Sequence, residues 1–562
     1  MESPSSAIQR PVAVDGNENA TRAVIIVGAG PVGLSAAIDL GLHGVDTLLV
    51  DQDETLCEGS RAICFSKRTL EILDRLGCAE PAVAKGVVWN TGKVFLRDRL
   101  LYQFNLQPEA GYRRPAFINL QQYHLEQFLL DRLQQLPVEL RWRSKVIEVT
   151  EHADGVSIGI EGPDGAYQVH GRYLLACDGA RSPIREMLEL EAHGQIFRDR
   201  FLIADVKMQA DFPAERWFWF DPPFHPRQSA LLHRQADNVW RIDFQLGWDA
   251  DPELERRPER VIPRIEAMLG PQRPFELQWV SVYTFRCQRM ERFRHGRVLF
   301  AGDSAHQVSP FGARGANGGI QDADNLVWKL ARVVRKTAPE SLLDSYDAER
   351  VPAADENILN STRSTDFITP KSRVSRTFRD ATLQLAQAHP FARKLVNSGR
   401  LSTPHTYTST PLSTPDREAF AGRLLPGAPA ADAPLNSANG STWLLEQLGD
   451  EFVGLYFAGT HAPDEHLCSR LRGLANLPES VRPVVICATG YAAAWSAAGF
   501  SAFDDAQGIA AERYGAEADT LYLIRPDQHV AARWRHFDLR AARDAVQRAT
   551  GNLTPEFAAW EA

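Results

Sequence analysis

A strand, a glycine-rich turn and a helix follow one another near the start of the chain. Ala23–Val27 is a short run of apolar, mostly β-branched residues, which predicts a buried parallel strand. Residues 28–33 (GAGPVG) come directly after it, and Leu34–Leu42 has helical spacing. A second strand is predicted at Thr47–Val50. This order predicts a βαβ unit and therefore an α/β fold built on a parallel sheet.

The glycines of the 28–33 turn suit the binding of a dinucleotide. Gly28 permits a tight strand-to-helix turn, Gly30 lets the backbone approach a pyrophosphate, and Gly33 lets the helix pack closely on the strand. The helix then directs its free N–H groups and the positive end of its dipole at the phosphates. A tight turn with a purely structural role is the alternative that a lone motif leaves open.

An acidic residue completes the pattern. Asp51 directly follows the second strand, where its carboxylate can accept hydrogen bonds from ribose hydroxyls. Because strand, turn, helix and acid are all in place, the sequence predicts a dinucleotide site, which we extend to the neighbouring residues Pro31, Val32 and Gln52.

Two other loops that carry an aspartate follow apolar strands. Residues 177–185 (CDGARSPIR) follow the run RYLLAC, although an Asp-Gly pair is by itself a common turn. Gly302 and Asp303 follow the run RVLFA, and a carboxylate at the end of a strand can hold the hydroxyls of a polyol chain. The glycine-rich stretch 310–319 then leads into a helix whose dipole favours negative charge at its start.

Composition and charge exclude several classes of protein. The chain has 562 residues, of which 44% are hydrophobic and 24% charged, as in globular rather than fibrous or disordered proteins. A net charge of −9 argues against a nucleic-acid partner. No apolar run is long enough to span a membrane, the first residues do not form a signal-peptide pattern, and the seven cysteines lack metal-ligand spacing. We therefore expect a cytoplasmic protein with no metal site and neither nucleic acid nor a membrane as partner.

The three loops together resemble those of the flavoprotein aromatic hydroxylases, the single-component FAD monooxygenases typified by p-hydroxybenzoate hydroxylase. The resemblance rests on GAGPVG, CDGARSPIR and GDSAHQVSPFGARGANGGIQDADNLVWKL, in that order. It implies that the first motif binds the ADP part of FAD and that Asp178 and Gly179 contact both FAD and the nicotinamide donor. It also implies that Gly302 and Asp303 hold the ribityl chain.

Two further segments match the same family. Arg61 resembles the arginine that approaches the flavin phosphates and the nicotinamide donor, with Ala62 beside it in the predicted site. Gln122 resembles a glutamine that lies near the flavin. The structural alternatives are a surface salt bridge for Arg61 and a helix cap for Gln122.

The resemblance also implies roles for the glycine-rich loop. Pro310 begins the stretch that would line the oxygenation pocket, and Gly315, Ala316 and Asn317 would flank the flavin ring. The N-terminus of the helix that follows would stabilise the negative charge of the reduced flavin.

The resemblance and the strand pattern divide the chain into several parts. The predicted fold class is α/β, with a Rossmann-like FAD-binding domain, an inserted antiparallel β-sheet domain for the substrate and a C-terminal thioredoxin-like α/β domain. The inserted sheet is predicted because apolar and polar residues alternate along 240–246. The predicted boundaries are a flexible tail at 1–22, the FAD-binding domain at 23–194 and 291–400, the substrate domain at 195–290, a linker at 401–420 and the thioredoxin-like domain at 421–562.

Within the family, the chain more closely resembles the 3-(3-hydroxyphenyl)propionate and phenol hydroxylase branch. The resemblance rests on the overall length, on residues 117–133 and on the VYT run at 282–284. In that branch a thioredoxin-like domain is usual, and a homodimer is a family expectation. Because no CxxC motif is present, we expect the last domain to serve packing or dimer formation rather than redox chemistry.

The implied reaction needs an activated phenol as well as activated oxygen. An aromatic ring does not react with O2 directly, so the resemblance implies a flavin C4a-hydroperoxide as oxygen donor, after reduction of FAD by NADH or NADPH. The phenol needs a base or a hydrogen-bond relay, for which we select Tyr283 from the substrate sheet. His225, His233, Arg234 and Arg241 are further pocket candidates, each with a core hydrogen bond or a surface charge as the alternative.

The predicted function is therefore the NAD(P)H- and O2-dependent hydroxylation of a small phenolic substrate. A non-oxygenating FAD oxidoreductase is the main alternative, and a non-catalytic FAD-binding protein is a third. Residues 217–222 (WFWFDP) approximate a signature of flavin-dependent halogenases, but Asp221 replaces an apolar residue of that signature. We interpret this segment as a buried strand of the substrate domain.

Overall fold

A computed structural model describes most of the chain. The described residues are 21–56, 59, 61–107, 109–270, 273–396, 401–422, 424–438 and 440–553. The predicted tail at 1–22 therefore lies outside the described residues except for its last two positions. Cys57 also lies outside them.

The described residues form 26 strands and 15 α-helices. The strands are β1 (Arg22–Val27), β2 (Thr47–Val50), β3 (Cys64–Ser66), β4 (Val87–Trp89), β5 (Thr91–Leu96), β6 (Arg99–Asn105), β7 (Phe117–Asn119), β8 (Val138–Arg141), β9 (Lys145–Glu151), β10 (Val156–Gly162), β11 (Gly165–Ala176), β12 (Ala192–Lys207), β13 (Arg216–Phe220), β14 (Ser229–Arg234), β15 (Val239–Gly247), β16 (Glu276–Met290), β17 (Arg294–His295), β18 (Val298–Phe300), β19 (His306–Gln307), β20 (Pro434–Ser437), β21 (Gly440–Trp443), β22 (Phe452–Gly459), β23 (Val481–Cys487), β24 (Ser501–Asp504), β25 (Thr520–Ile524) and β26 (Val530–Trp534). The α-helices are α1 (Pro31–Leu42), α2 (Lys67–Leu76), α3 (Ala79–Lys85), α4 (Gln122–Leu133), α5 (Pro183–Met187), α6 (Pro252–Glu255), α7 (Pro258–Leu269), α8 (Gly315–Val334), α9 (Asp344–Ile368), α10 (Arg373–Ala388), α11 (Pro390–Val396), α12 (Glu465–Ala475), α13 (Ala492–Ala497), α14 (Ile509–Tyr514) and α15 (Leu539–Ala549).

The first sheet contains the predicted βαβ unit. Its strand order is β17-β18-β11-β1-β2-β8, and β10 and β9 extend it from β11. β1 lies parallel to both β2 and β11. The side chains of Val24, Ile25 and Ile26 are fully buried, as expected for a parallel strand that is covered on both faces. The predicted α/β class is confirmed. The glycine turn after β1 and the three aspartate-bearing loops, after β2 (Asp51), β11 (Asp178) and β18 (Asp303), all leave this sheet at the same end, because these four strands are parallel.

The second sheet corresponds to the predicted substrate domain. Its order is β19-β16-β12-β15-β14-β13-β5-β6. On one face, Ile242 and Phe244 of β15 pack in a core with Val261 and Ile265 of α7. The opposite face carries Arg241, Asp243 and Gln245, and it points away from this core.

This sheet differs from the prediction in two respects. The strands β5 and β6, which lie within the segment predicted as FAD-binding domain, form one of its edges. β13 pairs with β5 in parallel, so the sheet is mixed rather than wholly antiparallel. The reason is aromatic packing between segments distant in sequence: the ring of Phe95 stacks on Trp219 with 5.0 Å between centroids. The pairing of β5 with β13 could not be predicted from the sequence, because no turn connects the two strands locally.

The third sheet forms the C-terminal domain. Its order is β21-β20-β24-β23-β22-β25-β26, with β22, β23 and β24 parallel and β25 and β26 antiparallel. The thioredoxin-like character of this domain stays a prediction. Cys468 and Cys487 are buried free thiols.

Buried charges join the C-terminal domain to the helices behind the first sheet. Glu349 of α9 accepts from the two terminal guanidinium nitrogens of Arg525, at 2.5 and 3.0 Å, and from Lys329 of α8 at 2.7 Å. Asp527 also pairs with Arg525 at 2.5 Å. The predicted linker joins the same network, because Thr410 donates to Glu349 at 2.6 Å. Residues 401–420 have no helix or strand among their described positions, yet they contact both domains. The N–H of Ser402 donates to the carbonyl of Gly312 at 2.9 Å, and the N–H of Thr414 donates to the carbonyl of Ala531 at 2.8 Å.

Candidate active site

One large cavity lies between the first and second sheets. Its volume is about 1130 Å³. Pockets for one small ligand usually measure about 300–1,000 Å³, so this cavity has room for more than one ligand. It opens at the carboxyl ends of β1, β2, β11 and β18, which is where ligands bind in open α/β sheets.

Most residues selected from the sequence line this cavity. They are Gly28, Gly30, Pro31, Val32, Asp51, Gln52, Arg61, Ala62, Gln122, Asp178, Gly179, His233, Arg241, Tyr283, Gly302, Asp303, Pro310, Gly315, Ala316 and Asn317. Gly33, His225 and Arg234 are not among the lining residues.

The three glycines of the first turn are constrained in different ways. Gly28 has a φ of +106°, and a Cβ there would lie 2.4 Å from the carbonyl oxygen of Cys177. A Cβ on Gly33 would lie 1.9 Å from the carbonyl oxygen of Gly28, so this residue serves the packing of α1 on the turn. A Cβ on Gly30 would meet no atom within 4 Å. Gly30 therefore borders open space at the start of α1, the position where a pyrophosphate would approach.

Asp51 holds the glycine turn while it faces the cavity. One carboxylate oxygen accepts from the N–H of Ala29 at 2.6 Å, and the other accepts from the N–H of Asp53 at 2.8 Å. Burial raises the pKa of the Asp51 carboxyl, and these two backbone donors oppose the rise. A carboxylate with two oxygens has further acceptor capacity, so the position still suits ribose hydroxyls.

Asp178 has one committed oxygen and one unpartnered oxygen. Oδ2 accepts from the hydroxyl of Ser182 at 2.8 Å and from the N–H of Ile184 at 3.0 Å, which fixes the start of α5. Oδ1 is buried and has no hydrogen-bond partner. Burial raises the pKa of this carboxyl, while the two donors oppose the rise. An unpartnered buried acceptor beside a cavity indicates a ligand that donates a hydrogen bond.

Asp303 lies opposite the start of α8. Its Oδ1 would be 3.9 Å from a Cβ on Gly315, the first residue of that helix. No side chain caps α8, so its first N–H groups and its positive dipole end face the cavity. The protein around Asp303 displaces bulk water and raises the pKa of its carboxyl, and the charges of His306 and Arg61 oppose the rise.

Gln122 supports the loop that carries Arg61. Its side-chain oxygen accepts from the N–H of Ala62 at 2.9 Å, and its amide nitrogen donates to Glu126 at 2.8 Å. Arg61 is exposed to the cavity, close enough for its charge to act on Asp303. The geometry therefore gives Gln122 a positioning contact at the edge of the cavity, in place of the helix cap considered above.

Asn317 is committed to the protein rather than open to a ligand. Its side-chain oxygen accepts from the N–H of Ser66 at 2.9 Å and from the hydroxyl of Thr69 at 2.6 Å. Its amide nitrogen donates to the carbonyls of Cys64 and Ala313, at 2.8 and 2.6 Å. The side chain thus clamps α8 to β3, and only its backbone is available to a cofactor.

The polar face of the second sheet forms one wall of the cavity. Cross-strand pairing places residues of five strands in rows that point to the same side. The first row is Arg216, His233, Arg241, Asp205 and Trp279, and the next is Phe218, Leu231, Asp243, Ile203 and Ser281.

Three further charged residues on this wall were not predicted from the sequence: Asp205, Arg216 and Asp243. Asp205 accepts from two guanidinium nitrogens of Arg241, both at 2.7 Å, in a buried bidentate pair. Asp243 and Arg241 share a strand face, and their two-residue spacing could have identified Asp243. Asp205 and Arg216 could not be found in this way, because the strand pairing is not evident from the sequence.

His233 and Asp243 both carry unpartnered polar atoms. Nε2 of His233 and Oδ1 of Asp243 are buried and have no hydrogen-bond partner. Burial, with Arg216 and Arg241, lowers the pKa of His233 well below 6.5, so its imidazole is neutral. Burial raises the pKa of Asp243 to about 6, and the same two arginines limit the rise.

Tyr283 and Pro310 lie near an aromatic group at the far end of the wall. Tyr283 lies opposite Phe201 on the neighbouring strand, with its ring 6.3 Å from that of Trp279. Phe201, Phe285 and Phe311 pack against one another with centroids 4.9–5.4 Å apart. This apolar cluster can exclude water from the space beside Pro310.

Two predicted substrate residues lie away from the cavity wall. His225 belongs to the loop after β13, where Nε2 contacts the carbonyl of Gln245 at 2.5 Å and the ring packs 5.2 Å from Phe244, on the apolar face of the sheet. Arg234 donates to Asn238 at 3.2 Å at the end of its strand. Both side chains are thus used locally.

The residues present fit an FAD molecule. Gly30 leaves open space beside an uncapped helix, Asp178 has an unpartnered buried oxygen, and Asp51 and Asp303 face the same cavity. Among the described residues, no cluster of His, Cys, Asp and Glu could hold a metal ion. Within the same part of the chain, none of the helices has the length and apolarity needed to cross a membrane.

Comparison with known proteins places these features in a family. The model of the family described as FAD binding domain matches residues 21–361. A 3-(3-hydroxy-phenyl)propionate/3-hydroxycinnamic acid hydroxylase of Mycolicibacterium smegmatis is 31% identical over 382 residues, which are 66% of this chain and 66% of that protein. A flavin-dependent monooxygenase of Mycobacteroides abscessus is 30% identical over 461 residues, 78% of this chain and 89% of that protein. The solved structure of the flavin-dependent monooxygenase PieE with FAD and substrate shares the fold, with a TM-score of 0.79 at 22% identity over 95% of this chain and 100% of that chain.

Proposed function

Because the chain belongs to the FAD-binding-domain family of flavin-dependent monooxygenases, we propose that it hydroxylates a small phenolic compound with FAD, O2 and either NADH or NADPH. The observation that carries the proposal is that a single cavity joins the three aspartate-bearing loops to the polar wall of the second sheet. The loops suit the cofactor, and the wall suits an aromatic ring with polar substituents.

The first sheet binds and orients the cofactor in this proposal. Bound FAD supplies hydride acceptance from the nicotinamide donor and the activation of O2. The Gly28–Gly33 turn and Asp51 hold its adenosine diphosphate end, and Asp303 accepts hydrogen bonds from its polyol chain. The start of α8 at Gly315 provides N–H groups and a positive dipole end for negative charge on the ring.

The second sheet binds and activates the substrate. Trp279 and Tyr283 give the wall aromatic surface, and the phenylalanine cluster beside Pro310 keeps water out of the reaction space. The Tyr283 hydroxyl forms a hydrogen bond with the phenol and orients its ring. Arg61, which lies on the cavity edge near Asp303, attracts the phosphates of the nicotinamide donor.

Oxygen uptake by the purified yellow protein tests this proposal. NADH and NADPH are each supplied with simple phenols, hydroxybenzoates and hydroxyphenylpropionates, and peroxide is titrated in parallel. Uptake stimulated by one compound, with little peroxide and a product heavier by one oxygen, is the expected result. Stimulated NAD(P)H oxidation without oxygen incorporation into any compound of the panel would favour a non-oxygenating oxidoreductase instead.

A further inference from the structure

Asp243 lies at the centre of the cavity wall. Its carboxylate oxygen Oδ1 makes no hydrogen bond. Asp243 lines the cavity, in the row that neighbours His233 and Arg241. Arg241 is already neutralised by its bidentate pair with Asp205, whereas among the described residues no ion pair or hydrogen bond holds the Arg216 side chain. The wall therefore presents one unpartnered acceptor beside one unpaired cation.

His233 provides a second, independent sign of a ligand at this position. The side chain is 2% exposed, and its Nε2 has no partner. Nδ1 lies 3.9 Å from the sulfur of Cys64, which leaves Nε2 free to carry the ring proton toward the cavity. A buried donor without a partner has lost its hydrogen bonds to water without replacement, so a bound ligand that accepts from it is favoured.

We propose that Asp243 accepts the proton of the substrate's phenolic hydroxyl, and that Arg216 and His233 bind the oxygen that is left negatively charged. The proposal rests on the proposed function and replaces Tyr283 as the proton acceptor, since Tyr283 then only orients the ring. In the step, the phenolic O–H bond breaks, its electron pair stays on the oxygen, and a new O–H bond forms at Oδ1 of Asp243. When the hydroxylated ring regains its aromaticity, the C–H bond at the carbon that carries the new hydroxyl breaks and its proton leaves to water. Its electron pair re-forms the aromatic ring, and the carboxyl returns its own proton to the original oxygen, so Asp243 is restored.

The electrostatics of the wall support this division of roles. Because the pKa of Asp243 is about 6, the group is a carboxylate at neutral pH and a stronger base than an ordinary aspartate. The groups that face it come from every neighbouring strand: Arg216 on β13, His233 on β14, Arg241 on its own strand, Asp205 on β12, Tyr283 on β16 and Cys64 on β3.

The test is the pH dependence of hydroxylation in Asp243→Asn holoenzyme. With 3-(3-hydroxyphenyl)propionate and resorcinol as probes, wild-type kcat/KM should fall as the pH drops through about 6, because the carboxyl becomes protonated. Asp243→Asn should lose this acid limb and reduce kcat about 100-fold or more, while KM changes little, since an amide oxygen still accepts a hydrogen bond. Asp243→Glu should retain the limb.

Matched controls separate this inference from the proposed function and from misfolding. Asp249→Asn makes the same charge change at an exposed position of the neighbouring loop and should keep both activity and limb. FAD content and thermal unfolding confirm that each variant is folded. An active enzyme whose Asp243→Asn variant keeps the acid limb would overturn the role of Asp243 alone. Absence of hydroxylation by wild-type protein with any phenol would overturn the proposed function, and this inference with it.

Discussion

At the scale of single residues, the glycine turn separates two kinds of constraint that look identical in sequence. Gly33 is required because another backbone atom lies where its Cβ would be, whereas Gly30 faces open space. The first constraint belongs to folding, and the second belongs to ligand binding. Substitution can therefore distinguish them.

Gly30→Val should yield a folded protein that purifies without FAD, because the side chain fills the space for the pyrophosphate and leaves the packing of α1 intact. Thermal unfolding of the apoprotein and absorbance at the flavin band provide the two measurements. Gly33→Val is the comparison: a Cβ 1.9 Å from a carbonyl oxygen should prevent folding. A fully yellow Gly30→Val protein would contradict the role given to Gly30.

Tyr283→Phe should lower the fraction of NAD(P)H consumption that ends in product and raise peroxide release several-fold, because the ring is no longer oriented by the hydroxyl. The measurement is the ratio of product to oxygen consumed. The acid limb assigned to Asp243 should remain in this variant. Unchanged coupling would remove Tyr283 from the mechanism.

At the scale of elements, the sequence predicted what is local and missed what depends on pairing. The parallel strands were evident because Ala23–Val27 and the run RYLLAC are continuously apolar. Alternation along 240–246 identified a strand of the second sheet, but it led to the selection of only Arg241 from the polar half of the pattern. Asp243 of the same face also lines the cavity, because a second layer, the first sheet with its loops, faces it. Asn317 was expected beside the flavin, and only the folded chain shows that four hydrogen bonds occupy its side chain.

The parallel pairing of β5 with β13 in the second sheet leads to a prediction about the stability of these two strands. Phe95→Ala removes the ring that stacks on Trp219. We expect faster amide hydrogen exchange in both β5 and β13, because each strand supports the other, while exchange in β15 stays unchanged. Peptide-level exchange measured by mass spectrometry tests this. A change confined to β5 would show that the stacking does not couple the two strands.

At the scale of the whole molecule, the C-terminal domain is joined to the cofactor site by buried charge. Arg525 and Lys329 hold Glu349, and the adjacent Arg350 donates to Asp322 at 2.7 Å. Asp322 accepts from the N–H of Gly302 at 3.0 Å and lies 2.6 Å from His306. The turn at Gly302 and Asp303, which is predicted to hold the polyol chain, is thus held in place through Asp322 and Arg350. Homodimer formation, cytoplasmic location and the thioredoxin-like assignment stay predictions.

Glu349→Gln should destabilise the protein by about 3–5 kcal/mol, because it leaves Arg525 and Lys329 buried with incomplete compensation. Arg525 and Lys329 hold the pKa of Glu349 far below its usual 4.5. Its stabilising contribution is therefore complete above pH 4.5 and is lost as the pH falls below that value. Denaturant unfolding at pH 7 and pH 4 measures both effects. The difference between wild type and variant should shrink at the lower pH.

The network around Glu349 also determines how this protein can be recombined with its relatives. A chimaera that exchanges the C-terminal domain at the segment 401–420 would import new side chains opposite Glu349 and Arg350. We expect a chimaera to fold only if both sides of this cluster come from the same protein. One side is Tyr407, Thr410, Arg525 and Asp527, and the other is their partners on α8 and α9. The unit that must be exchanged as a whole in such a chimaera is therefore the charged cluster, rather than either of the two domains that it connects.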